Sequence, residues 1–128
     1  MLDKLNEILK QFAEKHGFEK IFYGGASDRS GNLKKWNYII LKRDRNARSG
    51  KSNMDSTLYY QIVLVHENYI PEDLPEELVR TISAQIPGLR LAGDILYDYG
   101  FKNGTDMVVE AAEMVLCKAQ KGCSVWRE

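Results

Sequence analysis

The sequence predicts an α+β domain: a mixed, mainly antiparallel sheet of four to five strands, with two helices packed on one face and a long loop in the central hairpin. Three observations carry that prediction. Thr57–His66, TLYYQIVLVH, holds two Tyr, two Val, two Leu and an Ile, with no Gly, Pro or acidic residue, and β-branched and aromatic side chains suit a pleated surface. Two segments, about 2–16 and 75–86, repeat apolar residues at helical spacing. A short alternating run, Trp36–Arg43, precedes the apolar strand and can pair with it as a hairpin.

The first helix rests on Leu2, Leu5, Ile8, Leu9, Phe12 and Ala13. Asp3 in its first turn and Lys15 and His16 in its last agree with the helix dipole, and Gly17 stops it. Glu19–Tyr23 reads as a short strand, and Gly24-Gly25 opens a polar turn. Trp36–Arg43 is the next strand. Asp44–Ser56, DRNARSGKSNMDS, is almost free of apolar side chains and reads as a long mobile loop. In Thr57–His66, Tyr59, Gln61, Val63 and Val65 face one way and Tyr60, Ile62, Leu64 and His66 the other. Both faces are mostly apolar, so this strand belongs inside the sheet.

Pro75 suits the first turn of the second helix, Asp73 is placed to cap it, and Glu76 and Glu77 suit its dipole. Leu78, Val79, Ile82 and Ile86 form its stripe, and Pro87-Gly88 ends it. Leu89–Tyr97 reads as a strand with a glycine bend, and Asp98–Thr105 as a turn. Asp106–Lys118 satisfies both helical and strand periodicity; Asn103-Gly104 before it is hairpin chemistry and favours a returning strand. Residues 1–121 make one domain and 122–128, with Trp126, a tail.

The 128 residues include eighteen basic and eighteen acidic side chains, for zero net charge. That balance argues against coating DNA or a membrane by bulk electrostatics, and it suits self-association. The two cysteines, Cys117 and Cys123, have neither redox-pair nor zinc spacing, which points to an intracellular chain. The N-terminal segment lacks the apolar core of a signal peptide, and no run approaches the ~18 apolar residues of a membrane span.

Chemical signatures are weak. Ser49-Gly50-Lys51-Ser52 imitates the end of a phosphate loop, but Arg45 stands where its first glycine belongs, and a strand rather than a helix follows. His16 and His66 sit on different elements. Cys117 could meet His66 only across a sheet, and it lies in an apolar run unsuited to a thiolate. Asp94, Asp98, Asp106, Glu110 and Glu113 lack calcium-loop spacing and match a solvated face as well as a paired-carboxylate site. No catalytic residue, cofactor or metal site is expected, and the chain reads as a non-enzyme.

Charge placement stands out instead. Lys42, Arg43, Arg45, Arg48 and Lys51 oppose only Asp44 within ten positions, while Glu72, Asp73, Glu76 and Glu77 fall within six. Each run alone is also what a solvated surface looks like. Together they describe a bipolar molecule whose basic loop could meet the acidic helix start of another copy, closing a ring. Alternatively, the basic loop touches nucleic acid phosphates without reading sequence.

The order of elements adds a resemblance. Tyr69-Ile70-Pro71-Glu72 leads into the second helix, Arg90–Asp94 follows it, and Asn103-Gly104-Thr105 runs through Val108-Val109-Glu110 into the return strand. Over about residues 2–121 the chain resembles tail terminator, or tail-completion, proteins and related neck components of long-tailed bacteriophages and prophages of Gram-positive bacteria. The resemblance implies a mixed sheet with helices on one face. It implies a ring, usually hexameric, that caps the tail tube and joins it to the head. The partners would then be copies of itself, the tail tube and neck proteins, with DNA passing but not specifically bound and no membrane involved. The place would be the bacterial host cytoplasm during assembly and then the virion. The long loop, Asp44–Ser56, would face the channel or a neighbouring protein.

Overall fold

The computed structural model describes residues 1–25, 36–48, 55–102 and 104–121. Their order is α1 (Leu2–His16), β1 (Lys20–Tyr23), β2 (Tyr38–Arg48), β3 (Asp55–Glu67), α2 (Leu74–Gln85), β4 (Arg90–Leu91), β5 (Leu96–Phe101) and β6 (Val108–Lys121). The fold is α+β. One six-stranded sheet runs β1-β2-β3-β6-β4, with β5 also on β6. Only β1–β2 is parallel; the other pairs are antiparallel.

Both helices cover the same face of the sheet. Leu5, Ile8, Leu9 and Phe12 of α1 and Leu78 and Ile82 of α2 pack on Ile39, Leu41, Ile62, Leu64, Ala112, Met114 and Leu116. Ile39, Ile62, Leu64, Leu78, Met114 and Leu116 lose essentially all exposure, each burial being worth about 1.5–3 kcal/mol. Among the described residues, the opposite face carries a small cluster, Val63, Val65 and Val109, flanked by Trp36, Tyr38, Ile40 and Ala111. The alternation of Thr57–His66 is therefore realised as two unequal faces, with the even-numbered residues under the helices.

Gly17 ends α1 in the left-handed region, at φ 78°, where a side chain would be strained. Asp73 precedes α2 with φ 68° and makes no side-chain capping bond; its carbonyl accepts the Glu77 N–H at 2.9 Å instead. The expected side-chain cap is absent because the left-handed Asp73 backbone turns the carboxylate away from the extended geometry a cap requires.

Three boundaries differ from expectation. The long loop Asp44–Ser56 is largely strand: pairing resumes past a bulge at Asp44 with Arg45↔Tyr59, Asn46↔Leu58, Ala47↔Thr57 and Arg48↔Ser56. Only 49–54 lie between the strands, outside the described residues. The expected strand Leu89–Tyr97 divides at Gly93, whose φ is 90°, into β4 and β5, which accounts for the sixth strand. Asp98–Phe101, expected as turn, is strand β5, and the turn begins at Lys102, whose N–H bonds Met107 O at 3.0 Å. Asp106–Lys118 resolves as strand, and β6 pairs with β3 along thirteen positions, which makes it a second central strand.

Candidate interaction surfaces

β2 begins with Tyr38 opposite Val65 on the helix-free face, so Lys42, opposite Gln61, is on that face and Arg43, opposite Tyr60, is on the helix side. The bulge then returns Arg45 to the helix-free face, opposite Tyr59. The basic run is thus not one patch on a loop but is divided between two faces. Arg43 borders an open groove with Met1, Leu2 and Asp3. Arg45 stacks its guanidinium 3.9 Å from the centre of the Tyr59 ring and pairs with Asp44 at 2.7 Å. Arg48 closes β2 opposite Ser56, and Lys51 lies outside the described residues.

Register adds a residue that the sequence reading missed. Arg45, Tyr59, Cys117 and Arg90 are consecutive partners across the sheet, so two arginines flank Tyr59 and Cys117 on the helix-free face. Lys118 is the next position along β6. Cys117 is buried, and it stands seven positions along β6 from Glu110, the partner of His66. Cys117 and His66 also face opposite sides, so they form no pair.

Of the acidic set, Glu72, Asp73 and Glu76 are exposed at the start of α2. Glu77 is engaged within the subunit: Lys15 Nζ donates to its Oε1 at 3.3 Å, and His16 Nε2 lies 3.2 Å from Oε2. The His16 contact falls short of hydrogen-bond geometry.

Two further clusters fix the end of the sheet near α2. Glu67 Oε1 accepts the Trp36 N–H at 2.9 Å and Lys102 Nζ at 2.8 Å, and the Glu67 N–H donates to Asn37 Oδ1 at 3.0 Å. His66 Nδ1 is 2.7 Å from Glu67 O and its Nε2 3.4 Å from Asn37 Nδ2; this arrangement fits a proton on Nδ1, with Nε2 accepting. Glu110, which interrupts the apolar face of β6, is only 8% exposed. It accepts the Ile70 N–H at 2.7 Å and so anchors the approach to α2. Across the strand pair, hydrogen bonding toward the Glu110 carboxylate, with some desolvation and the charges of Glu110 and Tyr97, raises the Tyr99 pKa above the usual 10.0. Partial burial, followed by the charges of Glu76 and Glu110, raises that of Tyr97.

Among the described residues, a run of exposed apolar side chains lies on β5. Leu96, Tyr97, Tyr99 and Phe101 are all exposed, Phe101 by 66%. β5 uses one side to pair with β6 and, among the described residues, is a sheet edge on the other. The sequence reading missed this surface because its boundary between strand and turn cut through it at Asp98.

Among the described residues no group of three or more His, Cys, Asp or Glu is placed to hold a metal ion, and no helix is long and apolar enough to cross a membrane. No family model matches the chain, nor does any curated protein. One of the matching solved structures spans 90% of this chain and 95% of its own, at 8% identity and a TM-score of 0.39, under a name that describes no function; a likeness that distant carries no argument.

Proposed function

We propose that the chain is a non-enzymatic structural protein of a phage or prophage particle, the tail terminator, which caps the tail tube and helps join tail to head as a ring. The observation that carries this reading is the separation of charge along the strand axis. Arg45 and Arg90 sit level with Tyr59. Glu72, Asp73 and Glu76 follow Ile70, whose N–H is held by Glu110, the partner of His66 toward the other end of β3. From Tyr59 to His66 the strand advances about 23 Å at ~3.3 Å per residue, more than twice the screening length of about 8–10 Å. Each end therefore presents its own sign to a neighbour, as a head-to-tail contact requires. The engagement of Arg45 by Asp44 and of Glu77 by α1 leaves Arg43, Arg90, Glu72, Asp73 and Glu76 as the charges best placed to act between subunits. The element order resembling tail-completion proteins supports the same reading; a neck component of the head–tail connector fits it too.

Deleting the gene from its phage or prophage should leave filled heads and separate tails in electron micrographs, restored to joined particles by a plasmid copy. Normal joined particles without the gene would overturn the proposal. Arg45 and Arg90 on one face also favour a second reading, non-specific phosphate binding. It predicts DNA retention at low salt that falls steeply as salt rises, and absence of retention at low salt removes it.

A further inference from the structure

The β5 edge has a pattern that fits one occupant, another β5. Tyr97, Tyr99 and Phe101 are opposite Ala112, Glu110 and Val108 of β6, so all three aromatics lie on the helix side, while Asp98 and Gly100 lie on the other. The Tyr99 N–H is held at 2.9 Å by the Asp98 carboxylate of its own chain, so it is directed to the open edge rather than to β6. By strand alternation the N–H groups of Tyr97 and Phe101 share that direction. The edge thus offers backbone donors at the three aromatic positions.

We propose that β5 pairs antiparallel with β5 of a second copy, in the register centred on Tyr99. The two Tyr99 residues exchange N–H···O=C bonds, and Tyr97 of each copy stands opposite Phe101 of the other, forming a six-ring aromatic ladder on one face. On the other face Asp98 stands opposite Gly100, so no carboxylate meets its own copy. Centring on Asp98 instead would set the two carboxylates against each other. Zero net charge imposes no long-range repulsion between copies. In the separate subunit, Asp98 occupies the Tyr99 N–H and blunts the edge, as charged side chains do on exposed strands; pairing displaces it toward Gly100 of the partner. A two-fold contact closes after two copies, so this dimer belongs to the free protein and not to a ring.

The test is sedimentation equilibrium of the protein alone, from micromolar to millimolar concentration, which requires no tail tube and stands apart from the particle role. The wild type should dimerise. A Cβ on Gly100 meets nothing within 4 Å, and its φ is outside the left-handed region, so substitutions there should fold, as circular dichroism will verify. G100D sets carboxylates opposite Asp98 at both symmetric sites and should weaken the dimer about tenfold. G100K should tighten it by a similar factor, and D98K/G100D should restore it. A monomer at every concentration overturns the proposal, and so does a dimer indifferent to the charge at Gly100.

Discussion

Removing the Glu110 carboxylate tests how the sheet and α2 are joined. In Glu110→Ala the Ile70 N–H loses its 2.7 Å acceptor in a residue only 5% exposed, where water is a poor substitute. A hydrogen bond to a charged group contributes about 1.5–3 kcal/mol. Relief of carboxylate desolvation works against that loss, but the 2.7 Å bond from the buried Ile70 N–H leaves the balance favourable. Tyr99 itself is exposed, so its hydroxyl finds water at little cost. The expected loss is about 2 kcal/mol, or a fall in Tm of roughly 8 °C for a domain of this size. Glu110→Gln keeps an oxygen acceptor and should cost less than about 1 kcal/mol. Urea unfolding of the two variants, with unchanged m-values, decides the matter. Glu110→Ala within about 0.5 kcal/mol of wild type would refute the anchoring role.

Three further outcomes follow from the same contacts. Tyr97 and Tyr99 hold their protons above the ordinary pKa of 10.0, so the native state binds more protons than the unfolded chain in that range. The stability they contribute is complete below pH 10 and is lost as pH rises through the folded values; alkaline unfolding should show this, and Glu110→Gln should bring Tyr99 ionisation, followed by ultraviolet absorbance, to lower pH. Glu77→Gln should cost no more than about 1 kcal/mol despite its two partners, because the ion pair with Lys15 is largely in solvent; thermal melts will measure it. Leu64→Ala, in the core on the helix side with no exposure, should cost about 2–5 kcal/mol, and Val63→Ala in the small cluster of the other face clearly less by the same urea assay.

The sequence was most legible where burial imposes a period. The stripe of α1 and the apolar strand Thr57–His66 both read directly, because one face of each must leave water. Arg45–Arg48 did not read as strand. Arg45 and Asn46 are exposed, so burial imposes no alternation there, and the strand comes from the pairing of Asn46 and Ala47 with Leu58 and Thr57 rather than from local composition. The bulge at Asp44 likewise has no local signature, yet it decides which face each arginine takes. Asp98 and Gly100 resembled turn chemistry because an edge strand with small or charged residues on one face departs from average strand composition. Glu110 looked like an interruption of an apolar face; its partner N–H is forty positions away, a distance no local pattern spans. For the interaction surfaces, the sequence located both charged runs but not Arg90, which reaches the basic row only through its pairing opposite Cys117.

The particle role is tested most directly by mixing the purified protein with tail tubes assembled from the tube protein of the same phage or prophage, then imaging tube ends by electron microscopy. The account predicts a ring of density on one end of each tube, diminished when Glu72, Asp73 and Glu76 are changed together to lysine. Bare ends in the presence of excess folded wild-type protein would contradict it.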